Sequence, residues 1–346
     1  MLLITWKCRL FIFQRAKVVK IRQYHKEKQR KIAYTISRLF AFPFYFFAFF
    51  FVVCRKKTYL CEKQETIRMR IICDAPGQTC NRLWTYVGSV AQCIAEKRHM
   101  VVLFFDWTIE DFPNLLHHPR VWFPLYHPWY LNRGNGWNNY KGLTWKLTHS
   151  KQWERIFRWT GCTKGWDTRR DIRYLQQTKQ ELQRIFEPRQ EIVRRANDMM
   201  GQLHTEADIV IGVHIRRGDY ATWQQGRFFF SLDEYHRFML QAASIFEGRR
   251  VAFFISSNEP FDTSVFHGCC CQRFGNEPSA AILDLYTLSR CDYILGPVST
   301  FSRWASFIGD VPLCFLESKD QTISHDSFSP IVDFFHFQNG REIEDW

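Results

Sequence analysis

The chain is predicted to be an α/β protein with two Rossmann-like domains that face a cleft, preceded by a basic and hydrophobic N-terminal segment. Three observations predict this architecture. The 346 residues, 46% hydrophobic and 23% charged, are typical of two globular domains. Strand and helix patterns alternate along residues 66–205 and again along residues 206–346. The net charge of +13 is confined to residues 1–60, which sets residues 1–65 apart from the body.

The N-terminal segment is predicted to associate with a membrane. Residues 1–60 contain 14 of the 47 Lys and Arg residues and a single acid, Glu27. Within them, Leu39–Cys54 is uncharged, contains eight Phe and is followed by three basic residues. This run is short for a hydrocarbon core of ~30 Å, but it suits an interfacial anchor that anionic lipids also attract. A short spanning helix and a buried core element are the alternatives.

Charge and cysteine patterns limit the function classes and the location. The body beyond residue 60 is electrically balanced, which argues against a nucleic-acid-binding protein. The apolar run starts too late for a signal peptide, and no Asn-x-Ser/Thr acceptor occurs. The 12 cysteines form no CxxC pair, so free thiols in a reducing compartment are expected. We therefore expect a membrane-associated protein with a body that faces the cytoplasm; a single-pass anchor of the Golgi type is the alternative.

The first α/β half opens with a strand–helix–strand pattern. Residues 67–73 alternate into an apolar run and predict a strand, and residues 74–78 break it. Residues 81–97 carry apolar side chains at helical spacing, and residues 101–105 predict a second strand. Such a βαβ unit implies parallel strands covered by helices.

The rest of this half is less regular. Residues 112–170 are rich in Trp, Pro, Asn and Gly and predict loops and short helices that could form a cleft wall. Residues 177–201 have apolar side chains spaced among charges and predict a strongly helical stretch.

The second half shows the same alternation without an internal sequence repeat. The predicted elements are strands at 207–215, 251–256, 293–295 and 311–315, and helices at 232–246, 280–289 and 302–308. Ligands of open α/β sheets bind at the carboxyl ends of the strands. We therefore expect the functional residues directly after these strands.

The strongest chemical pattern follows the first strand of the second half. His214 lies in that strand, Arg216 and Arg217 come directly after it, and Asp219 and Tyr220 follow. The planar guanidinium group matches phosphate oxygens two at a time, so the two arginines are candidates for binding a diphosphate. Asp219 is expected to orient Arg217 or to act as a base. The alternatives are a surface ion pair for the arginines and a hydrogen-bonded sheet residue for His214.

A second candidate site lies at the start of the predicted helix 302–308. Ser299, Thr300, Phe301 and Ser302 follow a strand and a Gly-Pro break. Hydroxyl groups and free backbone N–H groups at a helix N-terminus bind anions. An ordinary helix cap is the alternative.

Taken together, these motifs resemble glycosyltransferase family 11, the bacterial-type α1,2-fucosyltransferases. His-x-Arg-Arg-x-Asp-Tyr at 214–220 resembles the donor-binding motif of the family, and 254–259 resembles the strand and turn that follow it. Residues 284–293 and 299–305 resemble its third block. Residues 77–84 stand where the family has a glycine-rich loop and an Asn before its first helix. The ordered set of motifs is specific evidence for the family, whereas any single motif is weak evidence.

The resemblance implies a GT-B-like fold with an acceptor side at residues 66–205 and a donor side at 206–346. It also implies inverting transfer of L-fucose from GDP-fucose to a glycan hydroxyl, expected to be the 2-OH of a galactoside. No metal ion and no cofactor besides the donor are implied. The catalytic residues would be Arg216, Arg217 and Asp219. The donor-binding residues would be His214, Tyr220, Asn81, Arg82, Ser257, Glu259, Asp284, Ser299, Thr300, Phe301 and Ser302.

Two other functions stay open. A nucleotide-sugar transferase of the same architecture would act on a different sugar or make a different linkage. A membrane-bound interaction protein without catalysis would use residues 1–60 for its membrane contact and would bind no nucleotide. The ordered motifs in 212–305 argue against this second alternative.

Overall fold

A computed structural model describes residues 70–72, 77–102, 105, 107–123, 162–165, 168, 170–275, 280–331, 337–338 and 341–342. The chain divides between Thr66 and Ile67 into two units, and every described residue belongs to the second. The predicted membrane-associating segment therefore lies outside the described residues, as do residues 124–161 of the predicted loop region. Among the described helices, none combines the length and the apolar character needed to cross a bilayer.

The first half forms a four-stranded parallel sheet. In chain order its strands are β1 (Arg70–Ile72), β2 (Met100–Val102), β3 (Val121–Trp122) and β4 (Cys162–Thr163). They lie in the order β3-β2-β1-β4, and helix α1 (Thr79–Ala95) connects β1 to β2. The predicted βαβ unit is confirmed. A 3-10 turn at Trp107–Asp111 and a short helix, α2 (Pro113–Leu116), precede β3.

The helical stretch predicted over residues 177–201 is present, but it is divided into separate helices. Three helices occupy this region: α3 (Ile172–Gln177), α4 (Lys179–Ile185) and α5 (Gln190–Glu206). Pro188 separates the last two, because proline lacks the backbone N–H and its ring clashes with the preceding helical turn. Thr178 lies between the first two, where its hydroxyl donates to the carbonyl of Tyr174.

The second half forms a five-stranded parallel sheet in the order β7-β6-β5-β8-β9. Its strands are β5 (Ile209–Ile215), β6 (Val251–Ser257), β7 (Cys270–Gln272), β8 (Tyr293–Pro297) and β9 (Leu313–Leu316). Its helices are α6 (Leu232–Ser244), α7 (Ala280–Leu288) and α8 (Thr300–Gly309). A short antiparallel pair, β10 (Phe337–Gln338) and β11 (Arg341–Glu342), follows.

The edge strand β7 was not predicted. Its residues, two cysteines and a glutamine, carry no clear alternation of apolar and polar side chains, so pairing with β6 had to come from the tertiary structure. The other predicted strands and helices of this half are present, with ends that differ by one to a few residues.

The two sheets share one strand order. Counted within its own half, each sheet runs 3-2-1-4, and the second adds a fifth strand, which is the Rossmann order. The predicted α/β class with two Rossmann-like sheets is therefore confirmed. The order reverses between β5 and β8 in the second sheet, and ligands of such folds bind at this switch point.

Helices between the sheets give them a common core. One apolar cluster includes Ile72 and Val102 of the first sheet as well as Val210 and Phe254 of the second. Trp84 of α1 and Phe186 pack edge-on against Trp304 of α8, with ring centroids 6.4 and 4.9 Å away. A second cluster covers the other face of the second sheet together with α6. The predicted division at residues 205 and 206 stays a prediction.

Candidate active site

The carboxyl ends of β5, β6 and β8 lie side by side. Ile215 pairs with Ser257, and Val213 pairs with Leu295, so residues that follow these strands meet at one edge of the sheet. At this edge β5 and β8 approach closely: a Cβ atom at Gly296 would lie 2.9 Å from the Cβ of His214. Glycine is required there because a larger side chain would push the two strands apart at the switch point.

His214 is buried beneath the edge and contacts helix α8. Its Nδ1 lies 2.9 Å from the hydroxyl oxygen of Ser302, and its ring stacks on Phe301 with centroids 4.8 Å apart. Burial, and secondarily the charge of Arg216, lower the pKa of His214 to about 3. The imidazole is therefore neutral at physiological pH, and its visible contacts fix the start of α8 against β5.

Arg216 is held by Asp219 in a two-pronged ion pair. Nε lies 2.8 Å from Oδ1, and Nη2 donates to Oδ2 at 2.8 Å. The guanidinium also lies 5.8 Å from the ring centre of Tyr220. The expectation that Asp219 orients Arg217 is wrong, because the carboxylate reaches back to the residue three positions earlier.

The loop that carries Arg217 is fixed by the turn after β6. The Arg217 N–H donates to Asn258 Oδ1 at 3.1 Å, and the Gly218 N–H donates to Glu259 Oε1 at 2.8 Å. The Glu259 N–H in turn donates to the hydroxyl of Ser257. Gly218 has a φ of +36°, and a Cβ there would lie 2.9 Å from the Asn258 amide nitrogen. The predicted residues Ser257 and Glu259 thus position the loop.

The guanidinium of Arg217 is less fully engaged than that of Arg216. Its Nε lies 3.6 Å from Glu259 Oε2, which is beyond hydrogen-bond distance, and its Cζ lies 5.2 Å from the ring centre of Phe229. This Nε is buried and makes no hydrogen bond to any residue of the described part of the chain. Because 26% of the Arg217 side chain is exposed, an anionic ligand can still reach the guanidinium, although not at its buried Nε.

The start of α8 faces the same edge. Ser299 caps this helix, since its side chain accepts from the Phe301 N–H at 3.2 Å. Tyr220 is buried, and its hydroxyl donates to the Val298 carbonyl at 2.8 Å. This bond ties the segment after Arg217 to the segment before α8. The segment after Arg217 and the N-terminus of α8, where anions bind in other proteins, thus meet at the switch point.

The loop before α1 meets the start of α8. The hydroxyl of Thr300 donates to Asn81 Oδ1 at 2.6 Å, which links the two halves. Gly77 has a φ of +51°, and Arg82 Nη2 donates to its carbonyl at 2.7 Å. Arg82 is buried and lies 5.7 Å from the ring centre of Phe105. Asn81 therefore lies at the junction of the two halves, whereas the buried Arg82 stabilises the loop through its bond to the Gly77 carbonyl.

Asp284 lies behind the edge rather than on it. It is 8% exposed on α7 and bonds to the Ser256 hydroxyl and to the Ser257 backbone. Burial raises its pKa to about 7, although these bonds and the charge of Arg273 act in the opposite direction. The side chain supports the end of β6, which carries the Ser257 turn.

Sequence reasoning missed three residues of this region. Asn258 holds the Arg217 loop, Tyr235 accepts from the Arg216 N–H at 3.3 Å, and Phe229 packs against the Arg217 guanidinium. A signal existed for Asn258, because a polar run directly follows an apolar strand. None existed for Tyr235 and Phe229, whose contacts arise from the packing of α6 and the loop before it.

The described residues contain one notable cavity apart from this site, and they contain no candidate metal site. A cavity of about 310 Å³ is lined mainly by α4 and by residues near the C-terminal ends of α7 and α8, and it contains none of the predicted site residues. No group of three or more His, Cys, Asp or Glu residues is placed to hold a metal ion in the part of the chain that the structure describes.

Comparison with protein families identifies one match. Residues 151–314 match the family described as Glycosyl transferase family 11. This span contains the motifs at 214–220, 254–259 and 284–305, but not the loop at 77–84. The match confirms the resemblance and, with it, the prediction of a glycosyltransferase.

Comparison with solved structures finds fucosyltransferases. The fucosyltransferase NodZ from Bradyrhizobium is 15% identical with a TM-score of 0.43, over 72% of this chain and 96% of that one. POFUT1 in its apo form is 12% identical with a TM-score of 0.48, over 74% and 99%. A variant of Arabidopsis thaliana FUT1 in complex with GDP is 12% identical with a TM-score of 0.47, over 79% and 76%. No curated protein matches the sequence.

Proposed function

We propose that this chain, whose residues 151–314 match glycosyltransferase family 11, transfers L-fucose from GDP-fucose to a glycan hydroxyl. The acceptor is the 2-OH of a galactoside, and the anomeric carbon is inverted. One observation carries the proposal: the Arg217 loop and the N-terminus of α8 converge at the switch point of the second sheet. The nucleotide and the sugar follow from the family resemblance.

The diphosphate is proposed to lie between Arg217 and the first turn of α8. Negative charge grows on GDP as the glycosidic bond breaks, and donors fixed in advance stabilise that charge best. The loop of Arg217 is fixed by Asn258 and Glu259, so its position does not depend on the ligand. The cationic groups take the place that a divalent metal has in other transferases, which supports a metal-independent reaction.

Arg216 contributes positive charge to both sides of the site. Its charge is among the causes that lower the pKa of His214 in the second half, and it opposes the effect of burial on the pKa of Cys80 in α1. The Arg216 guanidinium therefore affects the pKa of a residue in each half of the protein. Because two of its donors are already bound to Asp219, Arg216 acts mainly through its charge and Arg217 mainly through hydrogen bonds.

The acceptor hydroxyl is proposed to attack the anomeric carbon from the face opposite GDP, which inverts the configuration. Both carboxylate oxygens of Asp219 accept bonds from Arg216. We therefore assign Asp219 to holding Arg216 rather than to deprotonating the acceptor.

Thermal unfolding of the full chain with GDP, UDP and CDP tests the donor. GDP at 100 times its dissociation constant should add about 2.7 kcal/mol to the free energy of unfolding, whereas UDP and CDP should add little. Equal stabilisation by UDP would contradict a GDP-linked donor and favour a transferase for another nucleotide sugar. Incubation with GDP-fucose and lactose, followed by NMR of the product, then tests the 2-OH linkage.

A further inference from the structure

An exposed tryptophan lies beside the proposed donor site. Trp223 comes three residues after Tyr220 and is 40% exposed, which is unusual for so large an apolar side chain. We infer that Trp223 is a stacking surface for a pyranose ring of the acceptor glycan. The inference rests on the proposed function, because it names where the second substrate of that site binds.

Two buried rings hold the indole in place. The ring centroids of Trp223 and Tyr220 are 4.7 Å apart with planes inclined by 33°, and those of Trp223 and Phe228 are 5.6 Å apart with planes inclined by 34°. Tyr220 and Phe228 are only 7% and 5% exposed. The exposed indole is therefore packed in a defined position, as a preorganised binding surface requires.

The backbone after Trp223 adopts a conformation that keeps the side chain at the surface. Gln224, Gln225 and Gly226 have φ values of +47°, +60° and +77°, in the left-handed region. Two of the three carry a Cβ, for which this region is unfavourable. Such strain persists only where the surrounding structure enforces it, and it is concentrated at functional sites. This tight bend places Phe228 against one part of the Trp223 indole, and the rest of the indole stays exposed.

The surroundings of the indole suit a neutral sugar. Thr222, Gln224 and Gln225 are exposed and uncharged, and they offer hydrogen-bonding groups to sugar hydroxyls. The one charged neighbour on this segment is Arg227, whose guanidinium lies 5.0 Å from the Phe228 ring centre and can also donate to a hydroxyl. An indole face contacts the C–H face of a pyranose through apolar contact. Sites for small ligands combine such an aromatic wall with a few polar groups.

The position relative to the arginines favours the acceptor over the donor. Tyr220 contacts the Arg216 guanidinium on the one hand and Trp223 on the other. Trp223 therefore lies one ring further from Arg216 than Tyr220 does. A sugar stacked on the indole would lie next to the diphosphate space and not in it, where the attacking hydroxyl is needed.

Steady-state kinetics of the full chain with GDP-fucose and lactose test this inference. Trp223→Ala should raise the KM for lactose about tenfold, because a stacked aromatic contact is lost, and should leave the KM for GDP-fucose within about twofold. Trp223→Phe should give a smaller rise, since a ring remains. Leu240→Ala is the control, because Leu240 is 48% exposed on α6 in the same half, and it should match the wild type.

In these kinetics, either an unchanged lactose KM in Trp223→Ala or equal increases in both KM values would overturn the inference. Saturation-transfer NMR of lactose in the presence of GDP separates it from the proposed function. If the wild type does not turn over GDP-fucose but binds lactose, and Trp223→Ala does not, the donor assignment fails and the acceptor surface stands. If binding of lactose survives in Trp223→Ala, the acceptor surface fails whatever the donor.

Discussion

Arg216 and Arg217 are adjacent, but their surroundings give them different roles. We expect Arg217→Lys to lower kcat by about 10²–10³-fold and to raise the KM for the donor, because lysine keeps the charge but loses the planar pair of donors. Arg216→Lys should mainly weaken the contact with Asp219, and its effect on kcat should be smaller. Initial rates over a range of GDP-fucose concentrations measure both variants.

Circular dichroism must first show that both arginine variants are folded. Asp219→Asn serves as the control for Arg216, since it removes the same ion pair from the other side. If Arg217→Lys retains the kcat and donor KM of the wild type, Arg217 does not bind the diphosphate and the donor site lies elsewhere.

Asp284 makes the stability of the protein depend on pH in an unusual direction. Its pKa is raised from 3.8 to about 7 by burial, so between these values the folded state holds a proton that the unfolded state has lost. Its contribution to stability is present at low pH and decreases by up to about 1.4 kcal/mol per pH unit as the pH rises towards 7. Asp284→Asn stays neutral and removes this slope.

The free energy of unfolding of Asp284→Asn minus that of the wild type should therefore rise between pH 4 and 7. Urea unfolding at several pH values measures it. His214 acts in the opposite direction, because its pKa is lowered to about 3 and its stabilising effect is lost as the pH falls below 6.5. The slope from His214 cancels in the difference, since both proteins contain it. A difference independent of pH would mean that Asp284 is ionised in the folded protein.

At the scale of elements, replacing two glycines by alanine tests how closely β5 and β8 pack and whether α5 tolerates a side chain. A Cβ at Gly296 would lie 2.9 Å from the Cβ and 3.1 Å from the carbonyl oxygen of His214, so Gly296→Ala should cost about 1–3 kcal/mol and distort the switch point. Gly201 is exposed within α5. Apart from its chain neighbours and the backbone of its own helix, nothing lies within 4 Å of the place that an alanine methyl group would take, so Gly201→Ala should stabilise by about 0.5–1 kcal/mol. Thermal or urea unfolding of the two variants compares them directly. Equal effects would show that β5 and β8 can move apart freely.

The elements differ in how well local sequence predicts them. Helix α1 and strands β5 and β6 were found because each is long enough to show its periodicity. The break at Pro188 was overlooked because the apolar spacing continues across it, and β7 was missed because three residues are too few for a pattern. The arginine motif was predicted to follow a strand, and it does follow β5, since strand ends are predictable. The partners of the two arginines could not be predicted. Asp219 could pair with either arginine, and Phe229 and Asn258 contact Arg217 only because the fold brings these segments together.

At the scale of the whole molecule, the body and the N-terminal segment are proposed to act independently. The described residues between 70 and 331 contain both sheets, the shared core and every predicted site residue. The excess charge lies wholly in residues 1–60, which also hold the Phe-rich run at 39–54. We propose that this segment attaches the body to a membrane surface and contributes nothing to donor binding.

Removal of residues 1–60 should therefore release the protein from membranes and leave activity on a soluble acceptor intact. Binding of the full chain to vesicles that contain anionic lipid should weaken with added salt, because screening shortens the reach of Lys and Arg, while apolar insertion retains part of the binding. Co-sedimentation at two salt concentrations measures this, and rates at saturating GDP-fucose and lactose compare the two proteins. An insoluble or inactive truncated protein would place the segment within the fold. Salt-independent binding would instead favour a spanning helix at 39–54, since insertion into the hydrocarbon core does not depend on surface charge.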